Sequence, residues 1–141
     1  MITKYQANLE NNHVRGITNY TPPTYTYIGL STVAIDDSGI LPENAEPDAS
    51  TGYARIRVRN NSETWNDSAN GVISNKIRLE FPNEFSANAG IARYIFELDE
   101  SGKVMYYSEL TQEITLYQGM NVFFAAGDIT FERTNQTSVS D

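Results

Sequence analysis

Tyr53-Ala54-Arg55-Ile56-Arg57-Val58-Arg59 and Val72-Ile73-Ser74-Asn75-Lys76-Ile77-Arg78-Leu79-Glu80-Phe81 hold the two clearest alternations in the chain. In the first, Ala54, Ile56 and Val58 fall on one side, and Tyr53, Arg55, Arg57 and Arg59 on the other. In the second, Ile73, Ile77, Leu79 and Phe81 share a side with Asn75, opposite Ser74, Lys76, Arg78 and Glu80. A side-chain period of two is that of a strand with one dry and one wet face. Strands of this kind belong to antiparallel sheets. Between the two runs, Asn60 to Gly71 collects turn formers around Trp65, the single tryptophan, and Asn70-Gly71 is a tight-turn signature.

On the N-terminal side, Tyr25-Thr26-Tyr27-Ile28-Gly29-Leu30 is rich in β-formers and predicts a strand that reaches toward Ile35. Before it, Thr21-Pro22-Pro23 enforces an extended conformation, because a residue ahead of proline avoids the helical region. Residues 4–15 form the one helix candidate, a short one, with Gly16 as its stop. Asp36 to Gly52 is an acidic loop broken by Pro42 and Pro47, and a loop of this length is expected to be functional or mobile.

On the C-terminal side, Pro82 ends the second run. Ile91–Glu100 and Lys103–Leu110 then predict a hairpin about Ser101-Gly102, with Glu100 opposite Lys103, Leu98 opposite Met105 and Phe96 opposite Tyr107. A second hairpin is expected from Gln112–Tyr117 and Met120–Phe124 about Gln118-Gly119, followed by a last strand at Ile129–Glu132. The expected fold is an all-β antiparallel β-sandwich, jelly-roll-like, of about eight strands with one short N-terminal helix. Its expected division is a helix and Thr-Pro-Pro arm over 1–24, the sandwich over 25–132 and a polar, fraying tail over 133–141.

The chain has 141 residues, enough for one domain with a substantial core. It contains no cysteine, which excludes a disulfide framework, a thiolate metal site and a cysteine nucleophile, and fits synthesis in a reducing cytoplasm. Its longest apolar runs, such as Val122-Phe123-Phe124-Ala125-Ala126, are far shorter than a membrane helix, and the first eight residues lack the apolar core of a secretory signal. Neither membrane insertion nor export by that route is expected. A net charge of −8 favours solubility and opposes binding to nucleic acid.

Each candidate for chemistry has a plain alternative. His13 is the only histidine, lies away from every acidic or hydroxyl cluster in sequence, and reads as a surface or interface residue. Asp36-Asp37, Glu43 with Glu46 and Asp48, and Asp99-Glu100 are the carboxylate groups available for acid–base work, and all read as solvated loop residues. Asp36-Asp37-Ser38-Gly39 lacks the alternating acids of a calcium loop. Arg55, Arg57 and Arg59, with Lys76 and Arg78 on a possible neighbouring strand, suit recognition of carboxylates on a glycan or a second subunit, or else a wet face held in ion pairs. Trp65 beside Asn61, Asn66 and Asn70 suits either sugar stacking or a plug over the sandwich end. No catalytic, cofactor-binding or metal residue is assigned, and no enzyme activity is expected.

In order along the chain, Tyr20-Thr21-Pro22-Pro23, Tyr27-Ile28-Gly29-Leu30-Ser31-Thr32, Glu46-Pro47, Gly52-Tyr53-Ala54-Arg55, Trp65-Asn66, Gly71-Val72-Ile73-Ser74-Asn75, Phe81-Pro82 and Phe124-Ala125-Ala126-Gly127-Asp128-Ile129-Thr130 form a specific series. From residue 7 to residue 131 the sequence resembles a family of small bacteriophage tail-fibre-like virion structural proteins. It departs from that pattern in its longer acidic loop and in Glu97-Leu98-Asp99-Glu100, which stand where the family has small residues. The resemblance implies a non-catalytic virion component, made in the host cytoplasm and assembled in several copies with other tail or capsid proteins. A host-surface glycan is a further implied partner if the chain sits at a fibre tip, and head decoration is an alternative placement.

Overall fold

The computed structural model describes residues 1–133, so the expectation for the tail lies, from residue 134 on, outside the described residues. One helix, α1 (Lys4–Val14), precedes eight strands: β1 (Tyr25–Ser31), β2 (Ile56–Arg59), β3 (Val72–Ser74), β4 (Leu79–Glu80), β5 (Gly90–Leu98), β6 (Val104–Leu116), β7 (Phe123–Phe124) and β8 (Thr130–Glu132). Every pairing is antiparallel. The main sheet has the order β2-β1-β5-β6, and two ribbons, β3-β8 and β4-β7, lie over one of its faces as an open sandwich. The expected all-β sandwich with a short leading helix is the fold observed.

The helix starts where its caps say it should. Thr3 accepts the Gln6 amide at 3.2 Å, and Gly16, at φ 71°, takes the left-handed conformation just past the end. Thr3 also donates to the Val104 carbonyl at 2.6 Å, and Ile2 bridges to Tyr106, so residues 1–3 run along the outer edge of β6 and fix α1 beside it.

Alternation on the main sheet sorts its residues onto two dry faces. Ile28, Leu30, Ile56, Val58, Ile95 and Tyr106 meet Leu79, Phe81, Phe85, Val122, Ile129 and Phe131 of the ribbon layer. On the opposite face Phe96, Leu98, Val104 and Tyr107 are covered by Ile35 and Leu41 from the acidic segment. That segment is therefore a packed cover, held partly by burial of Ala45 and by the Thr32 N–H bonding the Ala45 carbonyl at 2.8 Å. Its acidic residues give it a wet outer side, and its few apolar ones do the covering. The strand before it stops at Ser31, short of Ile35, because the chain must turn there to lay Ile35 on the sheet.

Four further expectations are corrected. The first alternating run pairs only from Ile56, and Tyr53, expected on the wet side, is buried: its hydroxyl takes the Leu30 amide at 3.1 Å where β2 no longer reaches β1. The second run is two strands, β3 and β4, with Asn75 buried at the break and Ile77 exposed. Nor are the two runs neighbours: β2 pairs with β1, β3 with β8 and β4 with β7, so Lys76 and Arg78 do not extend the arginine row. The expected hairpin about Gln118-Gly119 is absent, since Phe123 and Phe124 pair with Glu80 and Leu79 instead of with β6.

The β5–β6 hairpin is present with a different turn. Phe96 faces Tyr107 as expected, but Leu98 faces Val104, because the register slips between Glu97 and Leu98. The chain reverses through Glu100-Ser101-Gly102, with the Asp99 amide bonded to the Lys103 carbonyl at 3.0 Å and Gly102 at φ 84°. A three-residue loop closed by a left-handed glycine forces such a slip.

Gly29 is the tightest position on the sheet. A Cβ there would lie 2.4 Å from Phe96 Cζ and 2.7 Å from the Tyr53 hydroxyl oxygen, and neither can yield: Phe96 is fully buried, and Tyr53 is bonded to Leu30 and Glu46. Gly29→Ala is expected to cost about 1–3 kcal/mol in urea denaturation, the usual range for overpacking a core. An unchanged midpoint would show that the two rings have room to move.

Candidate functional site

A cleft of about 380 Å³ opens at one end of the sandwich, within the range of roughly 300–1,000 Å³ for small-molecule sites. Three parts of the chain wall it. Gln6 and Glu10 come from consecutive turns of α1, and Tyr20 and Pro22 from the extended arm behind it. Asn60, Asn61, Trp65 and Asn66 come from the connection between β2 and β3, whose backbone is closed by the Trp65 amide on the Asn61 carbonyl at 3.1 Å. The floor is the inner face of the main sheet, where Glu97, Met105 and Tyr106 lie.

The polar groups of the cleft are only partly paired. Gln6 is 1% exposed and its Nε2 donates to Glu10 Oε2 at 2.8 Å and to the Tyr20 hydroxyl at 2.9 Å, which orients the amide. Among the described residues its Oε1 has no partner, and neither has Trp65 Nε1. Glu10 also accepts from the Tyr106 hydroxyl at 3.1 Å and pairs with Arg133. Burial, with the Glu10 charge beside it, pushes the Tyr106 phenol well above its ordinary range.

Glu97 is the unusual group. It is 4% exposed, faces Ile28 on one side and Tyr106 on the other, and its carboxyl is pushed up to about 7 by burial. The Thr26 hydroxyl lies beside it and favours the ionised form, but outside regular hydrogen-bond geometry, and this does not offset the lost hydration. Near neutral pH this carboxyl therefore both donates and accepts. The charged residues lining the cleft, Glu10, Asp67 and Glu97, are all acidic.

The sequence pointed to Trp65, Asn61, Asn66 and Asn70; the first three do meet in the cleft, whereas Asn70, at φ 54°, is a turn residue outside it, and Trp65 also packs toward Phe131 with ring centroids 6.4 Å apart, closing the core at that end. It did not single out Gln6, Tyr20 or Tyr106, which are distant in sequence. Glu97 carried a readable signal: it sits between Phe96 and Leu98 in a strand apolar on both faces, which leaves no wet side for a carboxylate.

The other candidates lie elsewhere and apart. His13 is exposed and its Nδ1 accepts the Tyr20 amide at 3.1 Å. Asp36 accepts from Ser38, Asp48 from Ser50, and these bonds hold both carboxyls below the ordinary range. Burial pushes Asp99 up, but bonds from Ser101, Tyr5 and Lys103 outweigh it and hold it low; Glu100 accepts the Thr24 amide. Glu46 receives the Tyr53 hydroxyl at 2.7 Å and Arg55 Nε at 2.9 Å. Arg57 stands 4.0 Å over the Tyr25 ring and Arg78 3.8 Å over Phe123. Asp36, Asp48 and Asp99 thus serve turns, Asp37 and Glu46 pair with Lys4 and Arg55, Glu43 is exposed, and among the described residues no three acidic or histidine side chains gather as a metal set.

A search of curated proteins returned no match to this chain. A family model, Gp80, described as podophage GP4 fiber I protein gp80, matches residues 1–132, which takes in the helix, the cleft and all eight strands. This agrees with the tail-fibre resemblance of the sequence, and the chain belongs to the Gp80 family of podophage fibre proteins.

Proposed function

We propose that the chain is a structural component of a phage virion, tail or tail-fibre associated, built into the particle in several copies and without catalytic activity of its own. The family match over residues 1–132 carries this reading. The surface is compatible with it. β2 has one strand neighbour, β1, among the described residues, so its other edge offers backbone groups to a further strand. Arginine–aromatic pairs at Arg57 with Tyr25 and Arg78 with Phe123, the latter ring 48% exposed, are of the type enriched at protein interfaces. Asp36, Asp48 and Asp99 are used in turns and Asp37 and Glu46 in ion pairs, which suits a scaffold more than an acid–base centre.

Cryo-electron microscopy of the intact particle tests this directly, by position and copy number. Density at the tail or fibres in symmetric copies is expected, together with a self-associated species in light scattering of the purified chain. A monomer at high concentration that binds no purified tail protein would overturn the assembly reading, and density on the capsid would replace it with head decoration.

A further inference from the structure

The N-terminal side of the cleft is held down by polar contacts. No residue of 4–24 belongs to either apolar cluster, Gln6 is the one buried residue of α1, and Val14 and Ile17 are 73% and 68% exposed. The segment is pinned at its two ends. At one, Thr3 bonds the Val104 carbonyl and the Tyr5 hydroxyl donates to Asp99 at 2.7 Å; at the other, the Asn60 amide donates to the Thr24 carbonyl at 2.9 Å and the Thr24 amide to Glu100 at 3.0 Å. Between these points residues 6–22 form a strap along the cleft, clasped by Gln6 on Tyr20 and Glu10, and by Glu10 on Tyr106 and Arg133. Each such contact adds little net stability, and segments with few buried apolar contacts are the first to open locally.

Glu97 lies at the foot of the cleft beside this strap. Around it stand the Thr26 hydroxyl and Ile28 from β1, Met105 and the Tyr106 phenol from β6, Gln6 and Glu10 from α1, Tyr20 from the arm, and Asp67 from the connection between β2 and β3. Among the described residues no arginine or lysine pairs with it, and Arg133 is taken by Glu10. Burial holds the Tyr20 and Tyr106 phenols above their ordinary range, so both stay neutral near pH 7. An ionised Glu97 therefore meets no compensating charge while the strap is down.

We propose that residues 6–22 are a pH-controlled strap: with Glu97 protonated it stays clasped over the end of the sandwich, and ionisation of Glu97 makes it lift, which lets water reach the carboxylate and bares Trp65, Met105 and Tyr106. The carboxyl titrates at about 7 in the closed form, against an ordinary 4.5 once it is hydrated. Between those values the closed form holds more protons than the open one, so rising pH favours opening. His13 acts in the opposite sense, because its Nδ1 accepts the Tyr20 amide at 3.1 Å and a proton on that nitrogen breaks the bond on acidification. The strap is a property of the folded chain and does not depend on where in a particle the chain sits.

Hydrogen-exchange mass spectrometry of the full chain and of Glu97→Gln at pH 5.5 and pH 8, with protection corrected for the intrinsic exchange rate at each pH, tests this. The α1 amides from Asn8 to Val14 are expected to lose roughly 30-fold in protection between the two pH values in the wild type, and less than about 3-fold in Glu97→Gln. At both values they are also expected to exchange about 10-fold or more faster than the amides of β1, which marks an opening smaller than global unfolding. Global unfolding bares Glu97 too, so β1 shares the pH dependence and the level of protection separates the two events. Wild-type protection indifferent to pH, a loss that persists in Glu97→Gln, or α1 protection equal to that of β1 at both pH values would each overturn the proposal.

Discussion

Asn75→Ala is expected to lower the unfolding free energy by about 3–5 kcal/mol, the largest loss from any single polar residue of the chain. Asn75 is fully buried, and its amide ties together three places that no strand ladder reaches. Nδ2 donates to the Ile77 carbonyl at 2.9 Å and to the Ala125 carbonyl at 3.0 Å, while Oδ1 accepts the Ile129 amide at 2.9 Å. Its backbone adds bonds to Ile129 and Gly127. One side chain thus joins the break between β3 and β4 to the segment that leads from β7 into β8. Truncation leaves one buried N–H and two carbonyls without partners, each worth roughly 1–3 kcal/mol, and water reaching the outer carbonyls keeps the total below the full sum. Asn83→Ala, at an exposed position with one 3.3 Å bond, is the control and should stay within about 0.5 kcal/mol. Urea denaturation of both variants decides the matter, and a loss below about 1 kcal/mol for Asn75→Ala would show that the ribbons hold together without it.

Glu97→Gln is expected to stabilise the protein by about 3 kcal/mol at pH 8 and by almost nothing at pH 4.5. The carboxyl goes from an ordinary value of 4.5 to about 7 on folding. Between those two values the folded chain holds more protons than the unfolded one, so stability falls as pH rises through the interval. Below 4.5 both states are protonated and the effect vanishes. Above 7 both are ionised and the folded state bears the full cost of a buried charge, which at about 1.4 kcal/mol per pH unit over this span sets the size. The amide has the same shape with no charge to desolvate. Asp36, Asp48 and Asp99, held low, act in the opposite sense on acidification, so the whole-protein profile mixes both; the difference between wild type and Glu97→Gln isolates the one group. A difference independent of pH, or one that grows toward acid, would mean that Glu97 reaches water.

Local sequence determined the elements of this protein. Thr3 and Gly16 bracket α1, the residue types of Tyr25–Ser31 and Gly90–Leu98 make strands, and Gly102 places the reversal between β5 and β6, because caps, pleat periodicity and positive φ act over a few neighbouring residues. Alternation also failed for physical reasons. Where both sheet faces are covered, as at Phe96, Glu97 and Leu98, no wet side remains to mark direction, and the one signal left is a lone carboxylate between apolar neighbours. Only the tertiary structure decided that Phe123-Phe124 joins Leu79-Glu80, that Ile73 meets Phe131, and that Gln6, Tyr20, Trp65 and Glu97 share one cleft. Those choices are made between segments tens of residues apart, by which combination of faces buries the most apolar surface while leaving the fewest backbone groups unpaired, and no stretch of sequence contains both partners of that comparison.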